Sequence, residues 1–372
     1  MLIDESMESR HIWKAVVRDP GGNNFKPEDS GLKQSRPTLG KLEKYMTVWV
    51  LLSMAMGFLL GKLVPELGIW IEQLQVSDIS VPMGVALFLI MYPTMASIEF
   101  KELVKAAKSP KPAILTLVGN WMVAPALMTL LARLFLNSYP QFAAGVILLG
   151  IAPCTGMVLF WILLAGGDVA KGVVITAINA LSTLILYTPL AALYLGVGGI
   201  PIPIDPIAKS VILFVGLPLA LGQTTRRILL KKKGEAWFRE RFQPIMGNTA
   251  VIALLVTVII LFSLKGEIIA EEPFLVGLIS APLLAHFFIM ASLFYIIPWL
   301  LGFQYGDAVT VAFISSGTQF EVAIATAITV FGVGSGAALA TVVGPLWEVP
   351  SMLLFVKIAA KTKHRFSGSK GS

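Results

Sequence analysis

Ten apolar runs, most of them long enough to cross a lipid hydrocarbon layer as helix, follow one another along this chain of 372 residues. They fall at about 45–64, 81–96, 112–136, 141–165, 172–196, 205–225, 245–264, 273–301, 307–331 and 335–358. A hydrocarbon core of about 30 Å takes about 20 residues of helix at 1.5 Å each. The second run is short and leans on Phe100 and its neighbours. Composition agrees: 56% of residues are hydrophobic and 14% charged, against about 25% charged in soluble domains. The expected fold class is an all-α polytopic membrane protein of ten transmembrane helices.

The formal net charge of +7 does not point to nucleic acid. Basic residues sit between the apolar runs rather than in one patch, and cytoplasmic loops are expected to be basic. With a cytoplasmic N-terminus, the inner segments hold Lys41, Lys44, Lys101, Lys105, Lys108, Lys111, Lys171, Arg226, Arg227, Lys231, Lys232, Lys233, Arg239, Arg241 and Lys357 onward. The outer ends keep Lys62, Arg133, Lys209 and Lys265. Ten spans with both termini cytoplasmic follow, in an inner (plasma) membrane. Residues 1–40 are polar, lack the apolar stretch of a signal peptide, and are expected to be a disordered cytoplasmic tail. Residues 361–372 form a second tail.

The chain divides into similar halves, 41–200 and 201–360, of five helices each. Segment four ends in Gly166-Gly167 and segment nine in Gly332-Val333-Gly334. Both carry small and polar residues at mid-span: Ala152-Pro153-Cys154-Thr155-Gly156 and Ser315-Ser316-Gly317-Thr318-Gln319. Five is odd, so the second half enters the membrane upside down. Inverted repeats with helices broken near the midplane are a transporter architecture.

Pro153, Gly156 and Gly317 mark the helix breaks. Pro153 removes a donor and frees carbonyls near Leu148 and Leu149, which lipid cannot satisfy. Cys154 and Thr155 then line a cavity; Cys154 is the single cysteine, so no intrachain disulfide is possible. Glu321 and Glu348 lie inside apolar runs, where an ionisable group is costly and a functional candidate. Either could instead pair structurally with a polar neighbour. Asn179 and Asn120 are mid-span amides suited to substrate contact or a helix–helix bond. His286 faces the bundle interior. Asp168 and Lys171 read as a solvated turn, and Gly57 with Gly61 as a packing motif. Three dispersed histidines and one cysteine make no metal cage. No cofactor is expected, no nucleotide motif suggests a pump, and no soluble module suggests a sensor.

Gly150-Ile151-Ala152-Pro153-Cys154-Thr155-Gly156-Met157-Val158 with Leu164-Ala165-Gly166-Gly167-Asp168 resembles the signature of the arsenite-efflux permeases. These belong to the bile acid/arsenite/riboflavin transporter superfamily. Phe320-Glu321-Val322-Ala323, Gly344-Pro345-Leu346, Glu348-Val349-Pro350 and Met91-Tyr92-Pro93 also resemble it, over about residues 41–360. The resemblance implies two inverted five-helix repeats, crossed discontinuous helices four and nine, and a panel domain moving against a core domain. It implies arsenite export, with antimonite as a further substrate, driven by proton entry. It makes Cys154 and Glu321 essential. The chain departs from the family at Thr318-Gln319, where Asn-Asn is common, and at Ala180-Leu181-Ser182-Thr183.

Arsenous acid is neutral at pH 7 and shaped like a small polyol. On this reading Cys154, Thr155, Asn179, Thr318 and Gln319 bind this small inorganic oxyacid, and Glu321 and Glu348 couple its movement to protons. One thiol permits a weak, reversible arsenic contact. The competing expectation is a sodium-coupled carrier of a small organic anion. Sequence leaves the oligomeric state open, a homodimer included.

Overall fold

The computed structural model describes residues 46–366, apart from 65, 67–72, 77–78, 100–109, 198, 200–203 and 272. The expected N-terminal tail lies outside the described residues, as does Phe100.

Helix α1 spans Met46–Leu63, and α2 spans Val81–Ser97. Between them Gln75–Val76 (β1) and Ile79–Ser80 (β2) form a minimal antiparallel pair. Helices α3 (Pro110–Val118) and α4 (Ala124–Leu136) run into one another through a π turn at Gly119–Val123. Then come α5 (Pro140–Ile151), α6 (Val158–Leu164) and α7 (Val169–Val197). Helix α8 (Ile204–Val211) passes through a second π turn into α9 (Leu217–Trp237). A third π turn at Phe238–Phe242 leads into α10 (Gln243–Glu271), and α11 covers Pro273–Leu300. The chain closes with α12 (Tyr305–Ser316), α13 (Phe320–Phe331) and α14 (Gly336–Thr362).

Five helical stretches are each long and apolar enough to cross a membrane: Pro110–Leu136, Val169–Val197, Ile204–Leu264, Phe274–Leu300 and Gly336–Arg365. The third is really two helices. Gly234 takes φ 84° and ψ 169°, a conformation side chains resist, and the chain turns there. Sequence placed this loop at residues 226–244, because hydropathy registers only the apolar part. Lys231, Lys232, Glu235 and Arg239 are good helix formers and prolong both helices to the glycine.

The outer surface is apolar. Leu134 is 72% exposed and Ile185 73%, with Leu130, Leu193, Ile212 and Ile252 also outward. Water would penalise so wide an apolar surface, whereas a hydrocarbon layer matches it.

Two groups of helices are visible in the packing. In the first, α1 lies along α10, and α2 packs on α9 and α10. Gly57 and Gly61 let α1 approach the α10 backbone; a Cβ on Gly57 would stand 2.5 Å from the Ile259 carbonyl oxygen. The small-residue motif is therefore a packing device. The C-terminal end of α2 is tied down by α9. The Gln223 amide donates to the Met95 and Ile98 carbonyls at 2.9 Å each, and Tyr92 donates to Thr225 at 2.7 Å. Glu99 accepts from Arg226 at 2.8 Å and from Arg239 at 3.2 Å.

In the second group α5 is surrounded by α4, α7, α13 and α14, and α11 packs on α4, α12 and α14. Its two interrupted segments match in detail. After α6, Gly166 takes φ 73° and Asp168 caps α7 by accepting from the Lys171 amide at 3.0 Å. After α13, Gly332 takes φ 88° and Ser335 caps α14 by accepting from the Ala338 amide at 3.1 Å. The first turn packs on the start of α12, where the Asp168 amide donates to the Gly306 carbonyl at 3.1 Å. The second packs on the start of α5, where the Gly336 amide donates to the Gln141 side chain at 3.2 Å.

Asp168 and Lys171 are not a solvated turn. Lys171 Nζ lies 2.5 Å from Asp307 and 3.3 Å from Asp168, each part-buried. The charge on α12 supplies the partner that a local reading of 168–171 lacks.

Candidate functional site

Pro153 sits two residues beyond the end of α5. The residue before a proline is pushed out of the helical region, and Ala152 takes φ −94°, ψ 102°. Gly317 ends α12 in a similar way, at φ −75°, ψ 145°. Both chains are extended where they meet, and they pair there. The Cys154 amide donates to the Gly317 carbonyl at 3.2 Å, and the Gln319 amide donates to the Ala152 carbonyl at 2.7 Å. Pro153 faces Thr318 as a one-residue antiparallel bridge. Two interrupted helices thus satisfy each other's freed backbone groups. The carbonyls that sequence marked for partners also find them: Leu149 accepts from the Ala152 amide at 3.3 Å, and Leu148 from Tyr187 at 3.5 Å.

Four helix ends converge on this bridge: the C-termini of α5 and α12 and the N-termini of α6 and α13. The N-terminus of α13 presents amide groups and partial positive charge and the C-termini carbonyls and partial negative charge, while at the short α6 the Leu159 and Phe160 amides already donate to the Gly156 and Met157 carbonyls. Such a site can host polar solutes of either polarity without a dedicated ion. Close approach depends on Gly317: a Cβ there would lie 2.9 Å from the Cys154 Cβ and 3.5 Å from Glu348 Oε1.

A cavity of about 60 Å³ opens beside the bridge, lined by Thr94, Cys154, Thr155, Gly156, Met157, Thr318, Gln319, Phe320 and Glu321. A single water needs about 10–15 Å³ of such space, so the cavity suits a solute of a few heavy atoms. Gly156 stands across it from Thr94: a Cβ there would lie 3.7 Å from Thr94 Oγ1, in ordinary contact, so a larger side chain would occupy the space. Gln319 donates through Nε2 to Thr155 Oγ1 at 3.0 Å, while its Oε1 is buried with no partner among the described residues. A buried acceptor left in that state calls for a donor from a ligand or water. Glu321, in the first turn of α13, contributes the carboxyl on the wall.

Glu348 lies behind the bridge rather than on the cavity wall. It is 1% exposed on α14 and accepts from the Thr318 hydroxyl at 2.9 Å. Asn179 is fully buried on α7 and is not among the cavity-lining residues; both its amide atoms lack partners among the described residues. Sequence put it at the site because it is polar at mid-span, a signal that does not say which way a helix face points. His286 is buried on α11, as expected, with Nδ1 unpartnered among the described residues. Thr94 was not foreseen. It is one of three hydroxyls, with Tyr92 and Ser97, in an otherwise apolar helix, and only the packing of α2 against the crossing tells it apart.

The profile described as the Sodium Bile acid symporter family matches residues 84–272. Among curated relatives, an uncharacterised transporter of Synechocystis sp. is 42% identical over 88% of this chain and 91% of its own length. The arsenical-resistance protein Acr3 of Alkaliphilus metalliredigens is 37% identical over 88% of this chain and 95% of its own. The protein of the same name from Corynebacterium glutamicum is 35% identical over 84% and 87%. Members of this group are transporters, and the chain is a multi-pass membrane transporter rather than an enzyme. It belongs to the Sodium Bile acid symporter family and, within it, to the arsenite-efflux permeases.

Proposed function

We propose that this chain exports arsenite, and antimonite by the same chemistry, from the cytoplasm in exchange for protons. The observation that carries the reading is that Cys154 and Glu321, from two different interrupted helices, line one small cavity. Trivalent arsenic is thiophilic, and one sulfur binds it reversibly. The hydroxyls of arsenous acid suit the orphan Oε1 of Gln319 and the oxygen of Thr318, whose own hydroxyl donates to Glu348, and its oxygens suit a donor from Thr155. Glu321 takes a proton as the neutral substrate leaves. Glu348 joins the exchange through its hydrogen bond to Thr318. The names of the two Acr3 relatives support the substrate class.

The architecture proposed with it is ten membrane spans in two inverted repeats, 41–200 and 201–360. Matched turns at Gly166–Asp168 and Gly332–Ser335 support the inversion. The run Lys231–Lys233 at the Gly234 turn supports a cytoplasmic side there, with both termini on that side of an inner membrane.

A sodium-coupled carrier of a small organic anion is the second reading. It draws on a relative from Bacillus subtilis described as a sodium-dependent transporter, 26% identical over 87% of this chain. The Ala152 and Gly317 carbonyls already accept across the bridge, and the thiol has no role in binding sodium. Arsenite uptake into everted vesicles, with sodium varied, separates the two. Uptake that needs no sodium and is lost in Cys154→Ala supports arsenite export. Uptake absent under every condition removes it.

A further inference from the structure

Eight of the nine residues lining the cavity come from the two crossing segments, 154–157 and 318–321. Thr94 alone comes from α2, which belongs to the other group of helices. Helical threonines in this protein commonly turn their hydroxyl back onto the preceding turn. Thr116, Thr129, Thr257 and Thr329 each donate to the carbonyl four residues earlier, at 2.8–2.9 Å. Thr94 does not: among the described residues its hydroxyl donates no hydrogen bond, and it stands on the cavity wall facing Gly156. One turn earlier on the same helix, Met91 Sδ meets Gln319 Nε2 at 3.8 Å, which fixes how α2 addresses the crossing. The ties from Gln223 and Tyr92 to α9 hold α2 in that register.

We propose that Thr94 is a substrate-binding residue, the hydrogen-bond donor that the α2 side contributes to a small neutral polyhydroxy solute held at the crossing. The inference rests on the arsenite reading and adds to it. A solute bonded at once to Thr94 and to Gln319 joins the two groups of helices, so occupancy is felt by both. The contact is a hydroxyl–hydroxyl hydrogen bond in which Thr94 donates to an oxygen of the solute.

The test is the initial rate of arsenite uptake into everted vesicles across a concentration series, for wild type, Thr94→Val and Thr94→Ser. Loss of one neutral hydrogen bond raises KM by about three- to tenfold in Thr94→Val, with Vmax within about twofold. Thr94→Ser keeps KM within about twofold of wild type. An unchanged KM in Thr94→Val, or a Thr94→Ser variant as impaired as Thr94→Val, overturns the assignment. A wild type that moves no arsenite overturns the functional reading, and the Thr94 role with it.

A second variant does not depend on turnover. Thr94→Cys sets a second sulfur on the wall shared with Cys154. Arsenous acid condenses with two thiols, forming two As–S bonds and releasing two waters, and so stays bound. The purified Thr94→Cys protein is expected to retain about one arsenic per chain through gel filtration, released by excess small dithiol and absent when Cys154 is also changed to Ser. No retention above wild type contradicts the placement of Thr94 at the arsenic.

Discussion

The Thr318 hydroxyl donates a 2.9 Å hydrogen bond to Glu348 Oε2, tying the break between α12 and α13 to the middle of α14. Both residues are buried, at 3% and 1% exposure. The bond gives a buried carboxyl its partner and holds Thr318 opposite Pro153. Removing the donor leaves Glu348 uncompensated, whereas changing Glu348 to its amide keeps an acceptor in place. Thr318→Val is expected to lose about 1–3 kcal/mol of stability, and Glu348→Gln less. Thermal unfolding of the purified protein in detergent checks the order; a Thr318→Val midpoint equal to wild type would count against this bond.

The two glycines of the site have opposite duties. A methyl at Gly317 meets the Cys154 Cβ at 2.9 Å, inside the crossing, while the nearest atom to a methyl at Gly156 is 3.7 Å away, across the cavity. Gly317→Ala should therefore destabilise, by about 1–3 kcal/mol of overpacking strain. Gly156→Val should leave the unfolding midpoint within a few degrees of wild type and abolish uptake by filling the cavity. The same phenotype in both variants would contradict this division.

Lys171 joins the turn after α6 to the start of α12 through Asp168 and Asp307. With Lys171 31% and Asp307 15% exposed in their side chains, the pair lies between surface and buried cases, and Lys171→Met should cost about 1–2 kcal/mol. Removing Asp307 as well, in Lys171→Met/Asp307→Leu, should cost less than the sum of the single changes. Strict additivity would show that the pair does not hold these segments together.

The helix breaks were legible because proline and glycine act locally: Pro153 must extend Ala152, and no neighbour is needed to see it. Cys154 and Glu321 were legible because a lone thiol and a carboxyl stand out against apolar sequence. Thr94 and Tyr187 were not, since a hydroxyl in an apolar helix looks alike whether it faces a cavity, a carbonyl or its own helix. Lys171 reads as part of a solvated turn from its neighbours alone because Asp307, its partner on α12, is 136 residues away. Polarity and depth point to Asn179 as a site residue, and among the described residues it lies off the cavity wall. Direction around a helix axis is settled by tertiary packing, and ridges of similar apolar residues on every face leave little periodic signal to reveal it.

We propose that protons and substrate exchange at the cavity of the crossing, with Glu321 as the carboxyl that carries the proton. Everted vesicles containing wild type or Glu321→Gln, given arsenite with and without an imposed proton gradient, test this most directly. Wild type is expected to show gradient-stimulated uptake and Glu321→Gln none, with the variant folded and present at equal amount. Undiminished, gradient-stimulated uptake in Glu321→Gln would contradict it.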